Sequence, residues 1–532
     1  MSDLKNVRQK TKSRQISSLK KKVAEYPGAH RNELQGIGIL ALISAVIALI
    51  LQDDAVPAQH AIGIAHYFGS LLISLLILFI FFKDIKRYKP AYFGDNKMMG
   101  LLALLVVGTL LVSRLFGWLL SALHRGLDLP LGDSFIFGIP IAAGAMLITL
   151  IFDFHLAISF SFVMSLLSGV WLHNPFFPIY TFVGSLTAAF SVLRCRRRST
   201  LIQAGIYVCI ANVLTAAMIL LAQGQLFSVV APSSFLFGIL AGVSVIALVT
   251  SMLPVIEYSF GLRTDISLVE LLDHDQPLLK NLMVNAPGTY HHSIIVGNLA
   301  EAAAEAVGVN PLMARVTAYY HDIGKVKMPD YFVENQAGPV SRHEKLTPHM
   351  SSIILISHVK EGVELAKQHK LPKPVIDIIQ EHHGTGLMTF FYQRAVEQSD
   401  GPPPNHEEYR YPGPRPQTRI AALVMMADAV EAATRSLSEP TPARIEAMVE
   451  KIINNIFLDG QIDECELTLK DLSAIKDSFV HVLLSIFHKR IQYPEVDVRQ
   501  FVNRQDKPLI SDLPSNNGGS DKESPKSSEA SH

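Results

Sequence analysis

Between Gly36 and about Tyr258 the chain alternates long apolar runs with short polar breaks. The runs fall near residues 36–51, 62–82, 98–122, 134–152, 156–172, 176–193, 201–222 and 234–256. Most approach or exceed the roughly 20 residues that a helix needs to cross a bilayer. One such run would suit a buried helix of a soluble protein; eight in succession do not. Only 18% of the 532 residues are charged, low for a soluble chain. The pattern predicts an all-α, polytopic membrane bundle of about eight spans: an anchor at 36–51, then seven spans over 62–258.

Loop charge sets the topology, since basic loops stay on the cytoplasmic side. Residues 1–35 carry nine Lys or Arg against three acids, and no cleavage site is obvious after them, so an uncleaved anchor is expected. Loop 83–97 holds Lys83, Lys86, Arg87, Lys89 and Lys97, and Arg194, Arg196, Arg197 and Arg198 follow the sixth run. The intervening loops 52–61, 123–133, 173–175 and 223–233 are nearly free of basic residues. Both ends of the bundle therefore face the cytoplasm, and so does everything after it. Arg114 falls inside the third run, where a charge is costly and must pair or snorkel.

Residues 265–495 change character. Apolar residues recur at helical spacing, punctuated by Pro329, Pro348, Pro372 and Pro442, which predicts an all-helical domain. Gly401 to Pro416 reads as a Pro-rich surface loop, and 503–532 as a polar, disordered tail. Cys195, Cys209 and Cys465 are far apart and show no metal or disulfide spacing.

This second half holds a distinctive set of histidines: His291-His292, His321-Asp322, His358 and His382-His383, with Asp428 further on. A single buried imidazole is usually a satisfied core residue. Several, all but His292 placed in or after apolar runs and accompanied by two aspartates, suit a metal centre instead. Mixed His and carboxylate donors favour iron, manganese or zinc over calcium. Two such cations about 3.5–4 Å apart clamp a phosphoryl group and acidify a water, so the chemistry expected is hydrolysis of a phosphoester. No GxxxxGK[ST] loop or GxSxG elbow is present.

The spacing His292 … His321-Asp322 … Asp428 resembles the HD-domain phosphohydrolase superfamily, and His358 with His382-His383 resembles its two-metal members. Longer strings narrow this: Asn285 to Ser293 (NAPGTYHHS), Ala318 to Lys325 (AYYHDIGK), Ile356 to Lys360 (ISHVK), Tyr411 to Pro414 (YPGP) and Asp459 to Cys465 (DGQIDEC). Together they resemble the bacterial seven-transmembrane HD-domain receptors, whose characterised members are cyclic di-AMP phosphodiesterases. The resemblance covers residues 62–495.

The resemblance implies a first metal on His292, His321, Asp322 and Asp428, and a second on Asp322, His358, His382 and His383, with Asp322 bridging. It implies that Lys325 meets substrate phosphate, that the two divalent ions are iron or manganese (zinc being the further option), and that cyclic di-AMP is opened to linear 5′-pApA at a cytoplasmic membrane. Glu381 to Leu387 lacks the Gly-Tyr-Pro string of the relatives that cleave cyclic di-GMP. The partners expected are a cyclic dinucleotide and the lipid bilayer, with no DNA or RNA polymer; a homo-oligomer is left open. Two alternatives remain: another nucleotide substrate, cyclic di-GMP or (p)ppGpp, and a non-catalytic nucleotide receptor. One departure is large. Only residues 52–61 separate the first two spans, where full-length receptors of this type carry an extracytoplasmic domain.

Overall fold

The computed structural model describes residues 38–52, 60–127, 132–336, 341–399 and 401–487. The basic segment 1–35, most of the 52–61 connection and the 503–532 tail lie outside them. The described elements up to Leu483 form one compact unit. They are almost entirely helical, the lone β-feature among them being a bridge between Leu387 and Arg410.

The apolar runs become helices α1 (Gly38–Ile50), α2 (His60–Tyr88), α4 (Asn96–Leu127), α5 (Ala142–Ile151), α6 (Phe154–Leu172), α7 (Phe177–Ser191), α8 (Arg198–Ala222) and α9 (Ala231–Phe260), with α3 (Pro90–Phe93) as a short turn between α2 and α4. Six stretches are long and apolar enough to cross a membrane; α1 and α7 are shorter. The fourth run differs from an unbroken span. A 3-10 turn over Gly132–Gly138 precedes α5, because Pro140 has no N–H to continue a helical ladder. It still lies deepest in the bundle, most of it buried. Packing relies on small residues where helices touch. A Cβ on Gly242 of α9 would come within 2.9 Å of the Cys209 backbone nitrogen of α8. Arg114 stacks over Trp171 at 5.8 Å.

Polar contacts mark the two ends of the bundle. At one end Lys89 pairs with Asp153, the N-cap of α6, at 3.1 Å. Lys97 reaches the Phe260 carbonyl at 3.3 Å, and Arg198 pairs with Glu270 at 2.7 Å. At the other, His66 and His173 bring their Nε2 atoms to 3.3 Å. The basic loops thus gather where the chain leaves the bundle for the second half.

That half is built from α10 (Asp265–Leu271), α11 (Pro277–Asn285), α12 (Pro287–Ala306), α13 (Pro311–Tyr320), α14 (Pro348–Gln368), α15 (Lys373–Glu381), α16 (Thr389–Glu397), α17 (Arg419–Arg435), α18 (Pro442–Leu458) and α19 (Leu469–Ile486). Proline opens many of these helices, at a position whose N–H would be unpaired anyway. Leu278, Leu282, Val316, Tyr319, Tyr320, Val375 and Ile379 form a core. The 401–416 loop is not wholly a surface feature: Tyr411 N–H donates to Gly386 O at 3.1 Å and Tyr409 is buried.

Candidate metal centre

Five secondary-structure ends and faces converge on one point. His292 lies in the second turn of α12, His321 caps α13, and Asp322 follows at the start of a 3-10 turn. His358 lies inside α14, His382 caps α15 with His383 next to it, and Asp428 lies in the middle of α17. Close packing brings these elements together. Gly324 is pressed so tightly on α14 that a Cβ there would sit 1.9 Å from the His358 carbonyl oxygen, which explains a glycine two residues after Asp322.

The side chains form two groups that share Asp322. His292, His321, Asp322 and Asp428 can bring one donor atom each to within 4.8 Å of one another, and so can Asp322, His358, His382 and His383. The two oxygens of Asp322 divide between them. Oδ2 lies 3.5 Å from His292 Nε2 and 3.3 Å from His321 Nε2. Oδ1 lies 3.4 Å from His358 Nε2 and 3.7 Å from His382 Nε2. Asp428 spans both groups, with Oδ1 at 3.0 Å from His292 and Oδ2 at 3.6 Å from His383 Nδ1. His291 is exposed and stands apart.

The other ring nitrogens are fixed. Nδ1 of His321, His358 and His382 each faces the carbonyl three residues back, on Ala318, Leu355 and Ile379. A carbonyl can only accept, so each Nδ1 carries a proton and Nε2 is the nitrogen left to face inward. His292 achieves the same with a carboxylate, Glu431 Oε2 at 2.6 Å. His383 is held differently, its ring stacked on Tyr411 with centroids 4.2 Å apart.

The cluster is buried and strongly charged. Asp322 is 1% exposed, and neither of its oxygens makes a hydrogen bond of good geometry; nor do the Nε2 atoms of His292 and His321. Two imidazole nitrogens and two carboxylate oxygens turned inward without a well-made hydrogen bond are donors that a cation would engage and that a packed core avoids. Burial opposes charge on Asp322, but His321 and Lys325 outweigh it and hold the carboxyl well below its usual range. Burial likewise opposes protonation of His292 and His321. Contacts with Asp428 and Glu431 push His292 up to about 9, and contacts with Asp322 and Asp428 push His321 up to about 10. Burial lowers His358 to about 3, so that ring is a neutral donor. The donor set fits divalent cations.

Lys325 is engaged within the centre. Its Nζ lies 2.7 Å from Asp322 Oδ2 and 2.9 Å from Glu334 Oε1, over the Phe332 ring. Glu334, Glu431 and Tyr411 escaped the sequence reading as site residues. Glu431 had a signal: it is three residues after Asp428, on the same helical face. Around the rim, Gln461 accepts from Thr385 N–H at 2.8 Å and Arg410 pairs with Asp459 at 3.2 Å, so the DGQIDEC string braces the turn after His383.

Both halves of the chain are similar to known proteins. Residues 64–264 match the family of 7TM receptors with intracellular HD hydrolase, and residues 289–433 match the HD domain. The cyclic-di-AMP phosphodiesterase PgpH of Bacillus subtilis is 40% identical over 365 residues, covering 67% of this chain and 51% of that protein. PgpH of Listeria monocytogenes is 42% identical over 314 residues, covering 58% and 44% respectively. The crystal structure of the L. monocytogenes PgpH HD domain in complex with cyclic-di-AMP is 48% identical, covers 41% of this chain and 100% of its own, and has a TM-score of 0.39. The chain spans about half the length of the curated relatives it matches. An apolar bundle that matches the family of 7TM receptors with intracellular HD hydrolase is thus followed in this chain by a helical domain that matches the HD domain.

Proposed function

We propose that this protein is a membrane-bound phosphodiesterase that hydrolyses cyclic di-AMP to linear 5′-pApA at a two-metal centre on the cytoplasmic face. The observation that carries the reading is the division of Asp322, with one oxygen turned to each of two four-residue groups. In this reading His292, His321, Asp322 and Asp428 hold one cation and Asp322, His358, His382 and His383 the other, iron or manganese in both. Such a pair, when bound, supplies Lewis-acid polarisation of the phosphoryl oxygens and lowers the pKa of water.

The protein's own groups supply the rest. The fixed Nδ1–H contacts hold the imidazoles in the tautomer that offers Nε2. Asp322 and Asp428 stay ionised and concentrate negative charge where cations belong. Lys325 stands beside Asp322 and would stabilise charge on a phosphoryl oxygen. The gathering of Lys89, Lys97 and Arg198 at the end that meets the HD domain supports a cytoplasmic placement of that domain. Similarity to the PgpH proteins supports cyclic di-AMP as substrate.

The test uses the full chain in detergent, loaded with manganese and offered cyclic di-AMP or cyclic di-GMP, with products separated by chromatography. Faster conversion of cyclic di-AMP to 5′-pApA is expected. Absence of turnover by metal-replete protein would refute the reading.

A further inference from the structure

The membrane bundle and the metal centre share one short helix. Helix α10 has seven residues. Ile266 packs in the core of the bundle, together with Phe260 and Leu262. Leu268, two residues on, packs in the core beneath the metal centre with Tyr319, Tyr320 and Ile323.

Both ends of α10 are pinned. At its start, Thr264 donates N–H and hydroxyl to the buried carboxylate of Glu257 at 2.8 and 2.6 Å. Glu257 is in the last turn of α9, three residues after Pro254, which cannot hydrogen-bond back along its helix. On its side, Glu270 accepts two hydrogen bonds from Arg198, the first residue of α8, at 2.7 and 3.2 Å. At its end, the Leu271 carbonyl, which has no partner within so short a helix, accepts from the Tyr320 hydroxyl at 2.7 Å. Tyr320 is fully buried and immediately precedes His321. Its ring has few rotatable bonds and is wedged in the core, so a shift of the Leu271 carbonyl must be absorbed by the Tyr320 backbone or break the bond.

We propose that Tyr320 is a positioning residue through which α8 and α9 set the placement of His321 and Asp322. The inference rests on the two-metal reading of the centre. A bridging carboxylate tolerates only about 0.5 Å of error. Movement of α9 about Pro254, or of α8 through Arg198, is passed by α10 to Tyr320, and from there to the one carboxylate both groups share. Each step of the path is a direct contact.

The experiment is a double-mutant cycle on the full chain in lipid nanodiscs, loaded with manganese. It compares Arg198→Ala, Tyr320→Phe and the combination, with the charge exchange Arg198→Glu/Glu270→Arg as rescue. Two readouts are taken: deuterium exchange at Ile323 to Lys325, and kcat and KM for cyclic di-AMP. Arg198→Ala is expected to speed exchange and lower kcat by roughly threefold or more at unchanged KM. The charge exchange is expected to restore both. In the Tyr320→Phe background, Arg198→Ala is expected to add nothing further. Independent, multiplicative effects of the two substitutions overturn the proposal, as does an Arg198→Ala protein whose exchange is unchanged. If no form hydrolyses cyclic di-AMP, the substrate reading fails, while the exchange cycle still decides the coupling.

Discussion

Glu431 Oε2 sits 2.6 Å from Nδ1 of His292, both side chains being buried. Glu431 thus orients an inward-facing imidazole by a carboxylate, where His321, His358 and His382 use backbone carbonyls. Glu431→Ala is expected to weaken manganese binding by about 10–100-fold, and Glu431→Gln, which keeps an acceptor without the charge, by less. Competition with a chelator, read by elemental analysis, measures both.

The two groups predict different losses. Asp322→Ala removes the residue they share and is expected to leave neither metal in stoichiometric amount. His358→Ala removes a donor from one group only and is expected to leave about one equivalent per chain. Two equivalents retained by Asp322→Ala would rule out the shared carboxylate.

Lys325 and Glu334 form a nearly buried ion pair, 12% and 10% exposed. Breaking one partner of such a pair leaves the other charge uncompensated. Lys325→Met is expected to cost about 3–5 kcal/mol in denaturant unfolding. Adding Glu334→Gln is expected to return part of it, because the double variant leaves fewer uncompensated charges. If the double variant is less stable than the single one, the pair is not the source of the effect.

The raised pKa values of His292 and His321, about 9 and 10, fix the sign of a pH effect. Folding raises both above the ordinary value near 6.5. Their contribution to the stability of metal-free protein is full below about pH 6.5 and lost as pH rises through about 9 to 10. Cations must displace these protons, so metal affinity is expected to rise with pH across the same window. Calorimetry of manganese binding in buffers of different ionisation enthalpy should show net proton release at pH 7.5; none would contradict the assignment.

Gly324 gives a steric prediction. A methyl group there would meet the His358 carbonyl oxygen at 1.9 Å and the Gly362 nitrogen at 2.6 Å, both backbone atoms that cannot swing aside. Gly324→Ala is expected to destabilise by at least about 1–3 kcal/mol and to push Asp322 away from His358. Thermal unfolding and metal content test the two effects separately.

Most of the helical plan was legible because its signal is local. Apolar runs of membrane length and helical spacing need no knowledge of distant contacts, and α2, α4, α6, α8 and α9 lie where the hydropathy puts them. The break before α5 was signalled by Pro140, but a run of 19 apolar residues reads as one span unless proline is weighed. Of the centre, the histidines and aspartates stand out by type. Glu334 and Tyr411 do not, since neither residue has a signature until the fold places it, and Glu431 is marked only by its position three residues after Asp428. Tyr411 shows this best: it belongs to a proline-rich stretch that composition assigns to the surface, yet its ring lies against His383.

Helix α10 also bears on how such proteins can be taken apart or recombined. Proteins assembled from interchangeable parts usually carry a seam, a polar stretch that belongs to neither side. Here the junction contributes Ile266 to one core and Leu268 to the other, two residues apart. A hydrolase fragment beginning after Leu271 would lose the acceptor of the Tyr320 hydroxyl and would take Leu268 out of the core beneath the centre. A hybrid with a foreign membrane bundle would have to match Ile266 and Glu270 to new neighbours. Exchange of membrane bundles in this architecture is therefore expected to carry α10 along with at least one of its partners.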